Sequence, residues 1–310
     1  MARGALCSPA GFVSYKETAE GGASEVPGQP IMLLAIDVGN SNTVMGLFQL
    51  ASDSGPASLV ADWRITTPHK QTPDELGVLL QTLFTMRHIK MEDVNGVAIA
   101  SVVPPLDASL RRVCELCFKL RPLFVEPGVK TGLPVLTDNP GEVGADRVVN
   151  CVAAFDLVGG PAIVVDMGTA TTFDVISKQG AFLGGAIAPG LGISADALFA
   201  RAARLTRVEI KKPAKIIGTS TTDNIQIGLY YGYIGLVDGI LERLIHELGA
   251  ETKVIATGGL AKLISADSKY ISRVDEMLTL TGLRLIWERN HDRQRRRSEN
   301  KNENKSEKVN

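Results

Sequence analysis

The chain of 310 residues has no charge of one sign to spare. Its 33 Lys and Arg stand against 34 Asp and Glu, for a formal net charge of −1. A balance that even carries no broad electrostatic case for binding nucleic acid. Cysteine is scarce, with Cys7, Cys114, Cys117 and Cys151 in all, and these form no secreted-style disulfide framework. No apolar run reaches the roughly 18 residues that a membrane span needs. Cys114 and Cys117 make one C-x-x-C, but a zinc site would want a second pair or a His pair, and none lies nearby. The spacing of Leu110, Val113, Cys117 and Leu120 reads instead as a helix face with reduced, half-buried thiols. His69, His88, His246 and His291 lack metal-ligand spacing and read as surface or hydrogen-bonded groups. What remains is a reduced, cytoplasmic protein of ordinary globular composition, 45% hydrophobic and 22% charged. Its length predicts two domains at about 100–200 residues each.

The ends differ from the middle. Residues 1–30 hold eleven Gly, Pro or Ser and no apolar periodicity, and read as a loose tail or as sequence upstream of a start at Met32. Residues 290–310 are charged and nearly devoid of apolar side chains, which predicts a solvated, disordered tail. Between them, the expected domains are 31–145 and 146–289.

That body alternates strands and helices. IMLLAID (31–37) and TVMGLF (43–48) read as a strand pair around a Gly39–Asn40 turn, with LVADWRI (59–65) as a third strand. Thr72, Pro73 and Glu75 mark a capped helix start, and GVAIASVVP (96–104) is a buried strand. The second half runs helix (ADRVVNCVAAFDLVG), strand (161–168), strand (171–177), strand (AFLGGAIAPG), two helices, strand (253–259) and helix (LAKLI).

Glycine is the one excess, at 31 residues, and its placement exposes a repeat. AIDVGNSNTV (35–44) lies over VVDMGTATTF (164–173), matching Asp37 with Asp166, Gly39 with Gly168 and Thr43 with Thr172. In each copy an apolar strand delivers an aspartate, then a glycine, then small hydroxyl or amide residues. Glycine admits backbone N–H groups close to a phosphate, and a carboxylate can hold Mg²⁺ against phosphate oxygens. One such hairpin is ordinary turn chemistry; two with matched aspartates point to a phosphate clamp between two domains. Gly258–Gly259, between a strand and a helix, suits the adenine side of a nucleotide site.

Six stretches together resemble the type III pantothenate kinases, within the actin-like ATPase and sugar/acetate kinase superfamily. They are DVGNSNTV (37–44), PGEVGADRVVN (140–150), VVDMGTATTFD (164–174), GGAIAPGLGISADAL (184–198), IGTSTTDNIQIG (217–228) and VIATGGLAKLI (254–264). The resemblance covers about residues 32–290. It implies an α/β fold of two similar ribonuclease-H-like domains, with mixed sheets flanked by helices and the nucleotide in the interdomain cleft. It also implies ATP-dependent phosphorylation of pantothenate, the first step of coenzyme A synthesis. Asp37, Val38, Gly39, Asn40, Ser41, Asn42, Thr43 and Val44 would then form the phosphate loop, with Asp37 on Mg²⁺ and Thr169 touching ATP. Gly144, Ala145, Asp146 and Arg147 would bind pantothenate, with Asp146 as the catalytic base. Asp166 would hold K⁺ or NH₄⁺, and Thr221 would meet pantothenate near a homodimer interface. Thr137 stands where many members carry a pocket tyrosine, and Thr219–Ser220 where Lys-Asn is common. No nucleic acid or membrane partner is implied. Two other functions stay open at this point: another small-molecule kinase on the same fold, and a nucleotide-binding regulator without turnover.

Read by itself, Asp146 has a plainer meaning. An aspartate at a helix start is commonly an N-cap, and the helix N-terminus should lower its pKa. Such a group is a weak base, yet phosphoryl transfer needs positioning more than base strength. Arg147 has the planar fork that suits a substrate carboxylate.

Overall fold

The computed structural model describes residues 31–51, 55–202 and 204–306, so the expectation for residues 1–30 lies outside the described residues. β1 (Met32–Val38), β2 (Asn42–Gln49) and β3 (Ser58–Thr66) form an antiparallel meander. β4 (Val94–Ser101) and β5 (Leu123–Phe124) join it in parallel. β6 (Ala162–Met167), β7 (Ala170–Ile176) and β8 (Phe182–Pro189) repeat the meander, and β9 (Lys253–Thr257) and β10 (Arg273–Val274) again add in parallel. The strand orders, β3-β2-β1-β4-β5 and β8-β7-β6-β9-β10, are the same. The sequence repeat at the two hairpins is therefore the visible part of a repeated topology.

Local chemistry accounts for the helix starts. α1 (Pro73–Met86) opens on a reciprocal capping box, in which Glu75 N–H donates to the Thr72 hydroxyl and Thr72 N–H to the Glu75 carboxylate. α5 (Thr221–Leu248) opens the same way on Ser220 and Asp223. α2 (Pro104–Val113) stops before the C-x-x-C, which lies on a π-helical turn, Cys114–Phe118. Cys114 is buried and Cys117 half-buried, both reduced. Burial pushes the Cys114 thiol up to about 12, which suits packing and not redox work.

Three apolar layers assemble these pieces. α1 and α2 cover one face of the first sheet, where Leu34, Ile36 and Met45 meet Leu76, Leu80 and Leu110. α4 (Leu191–Arg201), α5 and α6 (Ala261–Ser265) flank the outer side of the second sheet, where Ile163 and Val165 meet Tyr230, Val237 and Ile264. The third layer joins the halves: α3 (Ala145–Val158) and α7 (Leu278–Ser306) pack on each other between the two sheets. Small residues Ala35, Ala98, Ala100 and Ala162 on the inner strand faces allow that close approach.

α7 is not among the elements expected from sequence, which placed a solvated tail at residues 290–310. Its helical backbone runs through residue 290 to Ser306. Leu283, Ile286 and Trp287 anchor it, and it returns to lie on β1, β2 and β4 of the first sheet. None of the helices among the described residues is long and apolar enough to cross a membrane.

Candidate active site

Both aspartates of the repeat occupy the same place in their sheets. On β1, Leu33 and Ala35 face the layer between the sheets, and Asp37 follows two residues on. On β6, Ala162 and Val164 do the same, and Asp166 follows. Each strand thus carries a buried apolar stripe that ends on a carboxylate beside α3. Asp146, in the first turn of α3, completes the group.

The hairpins that follow differ by one residue. Asp37 pairs with Val44 and Val38 with Thr43, leaving a four-residue loop, Gly39 to Asn42, closed by Gly39 N–H to Asn42 O at 3.0 Å. Asp166 pairs with Thr172 and Met167 with Thr171, leaving three residues, Gly168 to Ala170. Thr43 therefore corresponds to Thr171, not to Thr172 as the aligned sequences suggest. Both are buried and share a hydroxyl hydrogen bond, Thr43 with Thr67 at 3.1 Å and Thr171 with Tyr233. The loops meet across the cleft, where Ser41 Oγ and Thr169 Oγ1 are 2.8 Å apart.

Electrostatics corrects the reading of Asp146. Gly144, not Asp146, is the N-cap of α3, and Asp146 Oδ1 accepts from the Arg147 N–H at 2.8 Å. Its carboxyl lies above the ordinary range, because burial outweighs the lowering by Arg147 and the helix start. Asp146 is thus a better proton acceptor than a capping aspartate would be. Burial also raises Asp37 well above its ordinary value, with further upward pushes from Asp146 and Asp166 against a lowering by Arg64. Asp166 is raised to about 6 by burial and then by Asp146. Three desolvated carboxylates therefore share one field, and none is in an ion pair with a cationic side chain among the described residues.

That cluster, without a direct ion pair among the described residues, fits a cation. Among the described residues, no group of three or more His, Cys, Asp or Glu could hold a metal ion on its own. The set suits Mg²⁺, which keeps several waters and takes one or two carboxylates plus phosphate oxygens. Asp166 is steadied from α3 and α7: Asn150 Nδ2 donates to its Oδ2 at 3.0 Å, and Thr279 Oγ1 donates to Asn150 Oδ1 at 2.7 Å. Gly258, at φ +94, crosses so near that a Cβ there would lie 2.7 Å from Asp166 Oδ1.

Arg147 is partly engaged already. Its Nε and Nη2 donate to Asp174 Oδ1 at 2.7 and 2.6 Å, while Thr172 Oγ1 donates to Asp174 Oδ2 at 3.0 Å. Its Nη1 makes no hydrogen bond among the described residues, which leaves those hydrogens for a ligand. Thr137 lies against β8, and its Oγ1 is buried with no hydrogen-bond partner among the described residues. Thr221 is the exposed first residue of α5, and no hydrogen bond or ion pair among the described residues ties it to the carboxylates. Sequence reasoning missed Asp174, Asn150, Thr67 and His69. Asp174 closes the matched stretch VVDMGTATTFD and Asn150 closes PGEVGADRVVN, which were the available signals; Thr67 and His69 act through tertiary contacts.

The family model for type III pantothenate kinase matches residues 33–243. The chain belongs to the type III pantothenate kinase family. It is 59% identical over 270 residues to the type III pantothenate kinase of Koribacter versatilis, covering 86% of this chain and 98% of that one. It is 60% identical over 257 residues to that of Acidobacterium capsulatum, covering 83% and 94%. Among solved structures, a Baf-family protein from Campylobacter jejuni superposes with a TM-score of 0.51 at 19% identity, over 84% of this chain and 99% of that one, a likeness of fold alone. The two mixed sheets flanked by helices are the fold expected from the resemblance to that family.

Proposed function

We propose that this chain transfers the γ-phosphoryl group of ATP to the primary hydroxyl of pantothenate, giving 4′-phosphopantothenate for coenzyme A synthesis. The observation that carries this is the convergence of Asp37, Asp146 and Asp166 on one desolvated field, with Asp146 inside the pantothenate-type segment Gly144–Arg147. The loop from Asp37 to Val44 and Thr169 binds the nucleotide phosphates. Mg²⁺, when bound, neutralises charge on the transferring phosphoryl group. Asp37 would hold it, and Asp166 would hold a monovalent cation, K⁺ or NH₄⁺.

Asp146 orients the substrate hydroxyl and accepts its proton as the bond to phosphorus forms. Its raised proton affinity suits that task, although the loose transition state asks little of the base. Arg147, held from behind by Asp174, offers its remaining donors to the pantothenate carboxylate. The unpartnered Thr137 hydroxyl replaces an aromatic pocket wall with a small polar one. Thr221, exposed and without a hydrogen bond to the carboxylates among the described residues, fits a contact made across a homodimer. The free thiols of Cys114, Cys117 and Cys151 fit a cytoplasmic setting.

The test is ADP release by purified protein with ATP, Mg²⁺ and K⁺, with and without pantothenate. Pantothenate-dependent ADP is expected. ADP release indifferent to pantothenate would overturn the substrate, and none under any condition would favour a nucleotide-responsive regulator.

A further inference from the structure

All four backbone carbonyls of the loop Gly39–Asn42 are occupied by donors of the chain itself. Gly39 O accepts from the Thr67 hydroxyl, and Ser41 O accepts from the Thr67 N–H at 3.1 Å. Asn40 O accepts from His69 Nε2 at 2.8 Å, and Asn42 O accepts from the Gly39 N–H at 3.0 Å. No backbone carbonyl among the described residues accepts from the N–H of Asn40 or Ser41. Three of the four bonds come from Thr67 and His69, in the segment joining β3 to α1. Thr67 is buried and His69 is exposed.

We infer that Thr67 and His69 are positioning residues for nucleotide binding: they hold the loop carbonyls away from the phosphates and leave the Asn40 and Ser41 N–H groups to meet them. The inference rests on the reading of this loop as the phosphate loop. The physical reason is the sign of the peptide dipole. A carbonyl turned toward a phosphate repels it, whereas an N–H attracts it, so a peptide plane free to flip would spend part of its time in the wrong orientation. Bonds on the carbonyl side remove that freedom before the ligand arrives.

The proton bookkeeping is consistent. The Thr67 hydroxyl has one hydrogen, spent on Gly39 O, so across the 3.1 Å contact Thr43 must be the donor. Thr43 therefore supports the loop from beneath, and its hydroxyl hydrogen is not available to a phosphate. His69 faces a carbonyl, so its Nε2 carries the hydrogen.

The test compares Thr67→Val and His69→Leu, which remove the side-chain donors and leave the Thr67 N–H on Ser41 O, with Thr67→Ser and His69→Gln, which keep them. Binding of a non-hydrolysable ATP analogue with Mg²⁺ is measured by calorimetry, together with KM for ATP and for pantothenate. Losing one such bond should weaken analogue binding and raise KM for ATP by about threefold to tenfold. KM for pantothenate should stay within about twofold, and the donor-keeping variants should recover most of the loss. His69→Leu lies at an exposed position, so it reports on the loop even if the buried Thr67→Val fails to fold. Gly39→Val is the control, since its Cβ would press on Asn42 O, 3.1 Å from the Cβ position. If Gly39→Val abolishes analogue binding while Thr67→Val and His69→Leu bind as the unaltered protein does, the positioning role is overturned and the phosphate loop stands. If Gly39→Val itself binds normally, the phosphate-loop reading falls, and the inference with it. Equal losses for ATP and pantothenate would also overturn the inference, since they would mark a general structural defect.

Discussion

Arg147 gives two nitrogens, Nε and Nη2, to the single oxygen Oδ1 of Asp174, and the Asp174 side chain is 0% exposed. The pair spans from the first turn of α3 to β7, so it ties that helix to the second sheet. Removing one partner of a buried pair costs about 3–5 kcal/mol, because the other charge is left without compensation. Arg147→Met should therefore lower the urea midpoint strongly, and Arg147→Met with Asp174→Leu should recover most of the loss. A double variant as unstable as the single one would show that packing, not charge, holds this corner.

Asp146→Asn keeps the volume and removes the proton acceptor. Turnover should fall by about 10²-fold or more, while binding of the ATP analogue stays near that of the unaltered protein. Single-turnover phosphoryl transfer and calorimetry separate the two. Unchanged turnover would remove Asp146 from the base role.

The carboxylate field predicts a cation-dependent pH response. Asp166 is raised from its ordinary 3.8 to about 6, chiefly by burial. A carboxyl whose folded-state pKa is raised stabilises fully below its ordinary value, and that stability is lost as pH rises through the folded value. In chelated buffer lacking K⁺, the protein should thus lose stability between about pH 4 and pH 6 by roughly 3 kcal/mol from this group, at about 1.36 kcal/mol per pKa unit. Asp37 and Asp146 push the same way. The measurement is the difference in urea midpoint between the chain and Asp166→Asn across that range. A difference flat with pH would refute the assignment. Mg²⁺ or K⁺ should restore stability above pH 6, and Na⁺ alone should support little activity.

Ser41 and Thr169 meet at 2.8 Å across the cleft, at an exposed position. A solvated bond of this kind contributes about 0.5–1.5 kcal/mol at most, so Ser41→Ala and Thr169→Val should barely change the melting temperature. Their effects on nucleotide affinity should be coupled, since both hydroxyls would reach one ligand. A double-mutant cycle on analogue binding checks this, and strict additivity would place the two hydroxyls on separate ligand groups.

Much of the fold was legible because it rests on local rules. The apolar runs at 31–37 and 161–168 became β1 and β6, and Thr72-Pro73-Glu75 became a capping box. The two Asp-x-Gly hairpins were visible as a repeat, since a tight turn after a buried strand leaves little choice of residue. α7 was not legible in advance: its apolar positions are few, and its charged continuation suggested a tail. The helix is held by contact with β1, β4 and α3, partners remote in sequence. The match of Thr43 with Thr172 failed for a related reason, because one residue of loop length changes the strand pairing without altering the local pattern.

The sequence by itself determined which residues could do this chemistry: paired aspartates after apolar strands, glycines beside them, and the Gly144–Arg147 segment. The tertiary structure decided their state. Burial, which depends on the whole α3–α7 layer, overrode the helix-start effect expected to lower Asp146 and raised it instead. Asp174 occupied part of the Arg147 fork, and Thr67 and His69 took the loop carbonyls. Desolvation and hydrogen-bond partnership are properties of surroundings assembled from distant parts of the chain, so no local pattern of residues contains them.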